Sequence, residues 1–520
     1  MNIGLFLSEG DGEISKVVDV KALASSYGES MPVNLLGNLQ SAESHRAIIR
    51  DIADKKLDAV VLAGESPLFY KKTRNGERLL SMIYNAGINP NHISIANIHE
   101  QVALPHRSTP EEATKKAKVL IDVSLEKVRL SKAVNLIEVA PRKAVTVIGT
   151  TPAGLFAAQR LLERNFQVDF IDREEVRAMN GYRQQTMPTL AAIRNHPRAR
   201  FYVSKITDFY GYAGNFRINL ENGSKLRAGG IIVAIGDDLK LTDELYPFLR
   251  LERNERGHFK TMSADTAVTE TVQQGIYLIT ETQTIAAAIS LADSAAMSLD
   301  SLLSQNAIRH ELFVSEVDES VCGGCGTCIK TCIFHAAEID PVKKLASTNI
   351  KRCVGCGNCV SACPTGARDQ ISGNTLYYLS AIRILSAYKP PSGPRLLYVI
   401  CEGCGYPSLD YAGNSGIEYP TGVMPLSVRC AGRLDTQFIL EAFKQGFTGV
   451  VICKCKDDHC LNIVGNTDLD RRANLFRSVL SSRGISPDRL RIFGVSDCDG
   501  ATCVTSAMDF MKFLTSMGRA

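Results

Sequence analysis

Short apolar runs separated by amphipathic stretches set the rhythm of the first 140 residues. Ile3 to Leu7, Ala59 to Leu62 and Ile93 to Ala96 predict strands, and the stretches between them predict helices, the pattern of an α/β layer fold. Pro110 to Val134, charged but with regularly spaced Ala, Val and Leu, predicts a helix that leads into the next segment. There the strand Ala144 to Ile148, the helical run Leu155 to Arg164 and the strand Gln167 to Ile171 follow one another closely, with later strands at Gly230 to Ile235 and Gly275 to Ile279. Leu376 to Tyr388 predicts a further helix, and Lys389-Pro390-Pro391-Ser392-Gly393-Pro394 a stiff linker and a boundary. Beyond it lie the strand Leu396 to Ile400, the helical run Asp435 to Gln445 and the strand Gly449 to Ile452. The pattern divides the chain into an α/β domain at 1–140, a Rossmann-like domain at 141–310, an α+β segment at 315–375 and a second α/β domain at 395–520.

Composition adds limits. A chain of 520 residues suggests three or four units, and 45% apolar with 22% charged residues is ordinary for globular domains. A formal charge of +4 is too dilute to imply a nucleic acid or an anionic membrane surface. Met1-Asn2-Ile3-Gly4-Leu5-Phe6 lacks the basic and apolar regions of a signal peptide, and no apolar run approaches the roughly 18 residues that would span a bilayer, so a cytoplasmic protein is expected.

All 16 cysteines lie after Val321, and the first eight carry the strongest signal in the chain. They read Cys322-x2-Cys325-x2-Cys328-x3-Cys332 and Cys353-x2-Cys356-x2-Cys359-x3-Cys363-Pro364, the signature of a two-cluster ferredoxin. Three cysteines of a run reach three corners of one cubane and the fourth turns back to the other. Cys322, Cys325, Cys328 and Cys363 are therefore expected to hold one 4Fe-4S cluster, and Cys332, Cys353, Cys356 and Cys359 the second. Glycines at 323, 324, 326, 355 and 357 allow the tight turns that aim amides at sulfur. Paired zinc sites fit poorly, because they want isolated Cys pairs and closed tetrahedra.

In the second segment Gly149-Thr150-Thr151-Pro152-Ala153-Gly154 sits between strand and helix, and the next strand ends at Asp172, 23 residues beyond Gly149. That is the layout of a dinucleotide-binding βαβ unit: a glycine turn and a helix N-terminus for a pyrophosphate, an acid for a ribose. Thr151 stands where the middle glycine is normal, so a scaffold that has lost its cofactor is the competing reading. In the fourth segment cysteines fall at successive ends of strands and should gather at the carboxyl edge of the sheet. Cys401, Cys404, Cys430, Cys455 and Cys460 offer five candidate ligands for a 2Fe-2S cluster that needs four, with zinc as the competitor and Arg433 and Lys454 as electrostatic support for thiolates. Cys453, Cys498 and Cys503 have no assignment. His45, His92, His99 and His106 show no ligand spacing, and nothing catalytic stands out in the first segment.

These residues support a resemblance over nearly the whole chain. Asn97-Ile98-His99-Glu100, Gly211-Tyr212-Ala213-Gly214-Asn215-Phe216 and Gly257-His258-Phe259 resemble the A-type subunit of heterodisulfide reductase. Cys401-x2-Cys404, Cys430-x-Gly432-Arg433-x-Asp435, Cys455-x4-Cys460 and Gly465-Asn466 resemble the delta, iron-sulfur subunit of methyl-viologen-reducing hydrogenase, and the fusion is similar to the B-type subunit of quinone-interacting membrane-bound oxidoreductase complexes. The resemblance implies FAD on the second segment, held at Gly149, Thr151, Gly154 and Asp172, two cubanes, and a 2Fe-2S cluster that exchanges electrons with a partner. The chain also departs from it. Leu7-Ser8-Glu9-Gly10, Gln40-Ser41-Ala42-Glu43 and Gly64-Glu65-Ser66 replace loops that carry cysteines in the family, a ferredoxin insert is missing between Asn215 and Gly229, and Thr280-Glu281 replaces a Gly-Asp pair near the flavin. No Cys-Cys-Gly motif for heterodisulfide chemistry occurs.

The expectation is an electron-relay subunit of a larger anaerobic redox complex, partnered by other redox subunits and meeting a membrane only through one of them. An FAD-dependent electron-bifurcating or confurcating subunit is the second reading, and a structural adaptor whose C-terminal cysteines hold zinc the third.

Overall fold

Ile3–Ser8 and Ala59–Gly64 are buried along their whole length, as the central strands of a parallel sheet covered by helices must be, while the edge strands Val33–Leu36 and Ile93–Asn97 are only part-buried. The computed structural model describes every residue except 73, 174–182, 263–267, 281–283, 458 and 519–520, and it groups the chain into two units: 1–134 with 313–520, and 135–312.

The first unit contains two parallel four-stranded sheets. One runs Val33–Leu36, Ile3–Ser8, Ala59–Gly64, Ile93–Asn97; the other runs Val423–Val428, Leu396–Cys401, Gly449–Cys455, Leu490–Val495. One apolar core joins them, from Leu5, Val61 and Ile121 through Tyr377 and Ile382 to Leu397, Val451 and Phe510. The helices Pro110–Leu130 and Thr375–Leu385 form the seam, and polar bonds pin it: Ser380 donates to Glu126 at 2.7 Å, Tyr388 to Glu112 at 2.8 Å and Asn374 to the Leu130 carbonyl at 2.8 Å. The proline-rich stretch read as a stiff linker is fastened rather than hinged, because the Arg395 guanidinium donates to the carbonyls of Ser386, Tyr388 and Gln445.

The cysteine-rich segment of the same unit is built from two short antiparallel pairs, Ser315–Val317 with Arg368–Gln370 and Ala337–Ile339 with Ala346–Thr348, and two short helices, Thr327–Thr331 and Asn358–Ser361. Its elements are too short to bury much apolar surface, so its shape depends on what it holds and on what it leans against.

The second unit is a five-stranded parallel sheet in the order Ile276–Leu278, Gly230–Val233, Ala144–Ile148, Gln167–Asp172, Ala199–Val203, with an antiparallel three-stranded sheet formed by Ile206–Tyr210, Phe216–Leu220 and Lys225–Ala228. This is the Rossmann-like layer expected of residues 141–310. One expectation needs correction. The helix Ile285–Leu303 is long and apolar enough to cross a membrane by length and composition, although no such run was expected. Its Ala288, Ala292, Ala295, Ala296, Leu299 and Leu303 recur on one face and are buried in the core of this unit, while Asp293 and Asp300 on the other side pair with Arg160 and Arg164 of the helix Pro152–Glu163 and its cap. That is the pattern of a core helix with a solvated edge. Leu299→Ala should therefore cost about 2–5 kcal/mol in the unfolding of this unit, followed by urea titration under anaerobic conditions; a helix that serves a bilayer instead would leave that transition unchanged.

Candidate electron-transfer site

In the ferredoxin segment the left-handed glycines Gly324, Gly326, Gly355 and Gly357 turn the two cysteine loops, and at Gly355 a Cβ would lie 2.3 Å from the Phe313 carbonyl oxygen. No side chain fits there. Cys332, Cys353, Cys356 and Cys359 all line one part-open cavity with about 440 Å³ of free space, together with Ser315, Phe334, Thr348 and Arg368. The structure thus brings Cys332 of the first run to the three leading cysteines of the second. On the other side Cys325 and Cys363 are electrostatic neighbours, and the two loops mirror each other: Cys325 meets the hydroxyl of Thr327 at 3.4 Å and Cys363 that of Thr365 at 3.7 Å. These hydrogen bonds hold Cys325 below its ordinary value; Cys363 is lowered too, its hydroxyl and backbone hydrogen bonds outweighing burial. Burial pushes the Cys356 thiol up to about 12, so a thiolate there needs a cationic partner. Among the described residues no three His, Cys, Asp or Glu side chains close on a single metal ion. Four thiols around a cavity fit a multi-iron group better than they fit one ion, whose sulfur ligands sit about 2.3 Å from it.

Arg368 is a member of this site that the cysteine spacing did not reveal. It is 2% exposed, its guanidinium donates to Ser315, Thr348 and the Ser347 carbonyl, and it interacts with Cys328, Cys353 and Cys359, members of both cysteine sets. A buried, permanently positive group between two anionic sites favours the reduced form of each. The only hint in the sequence was its place five residues after Cys363.

At the carboxyl edge of the C-terminal sheet, Cys401 ends the strand Leu396–Cys401, Cys404 caps the helix Gly405–Asn414, Cys430 follows the strand Val423–Val428, and Cys455 ends the strand Gly449–Cys455. All five candidates are buried. Cys401 and Cys455 lie 3.5 Å apart; Cys455 also hydrogen-bonds Cys404 and Cys460, and Cys460 hydrogen-bonds Cys430. The five form one continuous sulfur cluster. Cys430 and Cys455 are pushed well above their ordinary value by hydrogen bonds to neighbouring sulfur and by burial, so as free thiols they resist ionisation. Gly465 is required beside them, since a Cβ there would lie 2.1 Å from the Cys430 sulfur. Cys453 and Cys503 form a separate buried pair with Tyr398, whose hydroxyl lies 3.0 Å from the Cys503 sulfur; Cys498 is exposed.

The two sites adjoin. Cys356 and Cys430 are electrostatic neighbours. Around them the Gly432 carbonyl accepts from Ser361 at 2.8 Å and from Arg472 at 2.7 Å, and Asn358 donates to Asp468 at 2.8 Å. Arg433, completely buried, donates to Asp369 at 3.2 Å and Thr375 at 2.7 Å and stacks over Tyr378 and Phe438. The electrostatic support expected of Arg433 and Lys454 is thus redirected: Arg433 holds the ferredoxin segment against the sheet, Lys454 pairs with Asp457 and Asp470, and Arg472 faces Cys430.

Residues 396–518 match the family model of the methyl-viologen-reducing hydrogenase delta subunit, and residues 321–367 match the 4Fe-4S dicluster domain. The A-type subunit of ferredoxin:CoB-CoM heterodisulfide reductase from Methanosarcina mazei is 21% identical over an alignment of 781 residues that spans all of this chain and 98% of that protein. The D-type iron-sulfur subunit of the F420-non-reducing hydrogenase from Archaeoglobus profundus is 30% identical over 125 residues, 24% of this chain and 91% of that protein. The chain is thus similar over its whole length to heterodisulfide reductase A-type subunits and ends in a hydrogenase delta-subunit domain. Among solved structures, a putative thioredoxin reductase TrxB from Bacillus anthracis is 12% identical, with a TM-score of 0.22 over 30% of this chain and 97% of that one.

The glycine turn of the second unit is built tightly. Gly149 has φ +98°, and a Cβ on it would lie 2.2 Å from the Ala234 carbonyl oxygen; a Cβ on Gly154 would lie 2.9 Å from the Gly149 carbonyl oxygen and 3.1 Å from the Ala234 side chain. Thr151 has its hydroxyl engaged inside the fold. Its hydroxyl caps the helix Pro152–Glu163 by accepting from the Gly154 amide at 3.3 Å, and donates to the Ala234 carbonyl at 3.0 Å. Asp172 accepts at 2.8 Å from both the amide and the hydroxyl of Thr150, so the acid expected to meet a ribose braces the loop. Thr280 is exposed, and Glu281 lies outside the described residues.

Arg368→Met should remove about 1–3 kcal/mol of charge stabilisation from the reduced state. Both ferredoxin-segment potentials should then fall by on the order of 100 mV, read by spectroelectrochemical titration with iron content unchanged.

Proposed function

We propose that this chain is an electron-relay subunit of an oxidoreductase complex, passing electrons between partner redox subunits through two 4Fe-4S clusters and one 2Fe-2S cluster. The observation that carries this reading is the adjacency of Cys356 and Cys430 inside one packed unit. Electron transfer needs carriers at short and constant separation, and the bonds from Ser361, Asn358 and Arg433 hold the two cysteine sets in that relation. Cys322, Cys325, Cys328 and Cys363 would hold one cubane, Cys332, Cys353, Cys356 and Cys359 the other, and four of Cys401, Cys404, Cys430, Cys455 and Cys460 the two-iron cluster. The relatives named as subunits of heterodisulfide reductase and hydrogenase support partners of that kind. A cytoplasmic setting, with thiolate ligands kept reduced, suits the same chemistry.

A second reading, in which FAD on the second unit makes this an electron-bifurcating subunit, is favoured by the Gly149 turn and the helix N-terminus behind it. The adenine half of FAD would sit at Gly149, Thr151 and Gly154. Asp172 would have to exchange its bonds to Thr150 for a ribose hydroxyl, so binding is expected to be weak.

Anaerobic purification of the full chain should return about ten iron atoms and almost no zinc. About eight irons with one zinc would replace the two-iron cluster by the zinc adaptor and end the relay at the ferredoxin segment. The chain should also lose any bound FAD on Gly154→Val, measured by chromatography of the extracted flavin, because a side chain there separates helix from strand. Less than about a tenth of an equivalent in the parent chain, without recovery on reconstitution, would eliminate bifurcation and leave the relay.

Cross-ligation is tested separately. Cys332→Ser should degrade the cluster of Cys353, Cys356 and Cys359 while the signal of the other cubane persists in low-temperature EPR; loss of the first cubane instead would reverse the pairing.

A further inference from the structure

Behind the C-terminal sulfur cluster, where the two parallel sheets of the first unit meet, three carboxylates from three different elements are buried together. Glu65 follows the strand Ala59–Gly64, Glu100 lies in the π-helical turn His99–Ala103, and Asp410 lies on the helix Gly405–Asn414, whose N-terminal cap is Cys404. They are 5%, 7% and 3% exposed. Neutral donors surround them. Asp410 accepts from Ser66, from Asn97 at 3.1 Å and from Gln101 at 2.9 Å, and Glu65 accepts from Tyr70 at 2.9 Å. Glu100 Oε2 is buried without a hydrogen-bond partner among the described residues. A buried carboxylate oxygen left without a hydrogen bond is costly.

The charges that act on Glu65 are Glu100 and His99, and the charge that acts on Asp410 is Glu100. Tyr406 on the same helix and Tyr419 are neutral phenols that feel Asp410, and Glu402 adds negative charge beyond Tyr406. Lys116 lies over the Tyr419 ring, meets His106 at 2.8 Å and is held down to about 7 by burial. The basic side chain at the carboxylates is His99, with Nδ1 3.5 Å from Glu100 and Nε2 3.1 Å from Glu13, whose side chain is 65% exposed. Glu13 and His99 together connect the buried acids to solvent by groups that accept and release protons. Burial raises Glu65, and burial with the charge of Glu100 raises Asp410 well above the carboxylate range.

We propose that Glu65, Glu100 and Asp410 form a proton-loading site that holds one proton at rest and, filled from solvent through Glu13 and His99, takes up one further proton when an electron reaches the C-terminal sulfur site. The inference rests on the relay reading for the source of the electron. The step balances simply: one electron arrives from the ferredoxin segment, one proton arrives from water, an O–H bond forms on a carboxylate oxygen, and no other bond changes. Six residues of one helix separate Asp410 from Cys404, about 9 Å along its axis. Added negative charge at that distance through a dry interior raises the proton affinity of the acid.

The test uses the anaerobically purified full chain with Asp410→Asn and Glu65→Gln, which keep the shape of a protonated carboxyl. Its first arm needs no cluster: the infrared spectrum of the parent should show a carboxylic-acid C=O band at neutral pH that shifts in deuterium oxide and is lost in one of the variants. Absence of that band in the parent overturns the site. In the second arm, the midpoint potential of the C-terminal cluster, followed by EPR, should fall as pH rises from about 6 to about 9 in the parent and become pH-independent in at least one variant. A flat parent profile, or an unchanged slope in both variants, overturns the coupling. If the parent shows the acid band but no C-terminal EPR signal, the relay reading fails and the redox linkage fails with it, while the buried acid stands.

Discussion

The guanidinium of Arg433 has no exposure to water, and the geometry of the electron-transfer site depends on it. It reaches from the C-terminal sheet into the ferredoxin segment, where it meets Asp369 and Thr375, and it is walled by the rings of Tyr378 and Phe438. A buried cation is tolerated only when carboxylate and aromatic partners replace its hydration. Those partners come from the ferredoxin strand, the seam helix and the C-terminal helix Thr436–Lys444, so satisfying one charge orders three pieces of chain at once. The small ferredoxin segment, with little core of its own, borrows rigidity from that contact.

The same competition for partners explains the second unit. Thr151 and Asp172 are the residue types that a nucleotide site could use, yet their hydrogen bonds go to the fold itself, those of Thr151 to the Gly154 amide and the Ala234 carbonyl and those of Asp172 to Thr150. A threonine at that position caps the helix that a glycine would leave open, and it gains in loop stability what it gives up in accessibility to a phosphate. The turn is thus preserved as architecture, independently of how strongly it binds a cofactor.

Much of this was legible from the chain. The apolar runs at Ile3, Ala59, Ile93, Ala144, Gln167, Leu396 and Gly449 all begin observed strands, because a short run buried on both faces has few ways to fold other than as a central parallel strand. The cysteine spacing likewise anticipates that Cys332 faces the cavity of Cys353, Cys356 and Cys359, since both loops are short and their turns are forced by glycine. The alternation of the helix Ile285–Leu303 was less legible, because alanine counts as apolar on both of its faces and only Asp293 and Asp300 mark the solvated side.

Local elements, the two cysteine runs and the turn at Gly149 could be read along the chain, because each depends on residues a few positions apart. Folding in three dimensions is what joins 1–134 to 313–520 in one unit, makes Arg433 a fastening and Arg368 the charge near the sulfur, and gives Glu65, Glu100 and Asp410 a shared buried site. Asp410 and Ser66 are separated by 344 residues and hydrogen-bond to each other. Nothing in the spacing of either announces the other, because burial and charge compensation are properties of the neighbours that folding supplies.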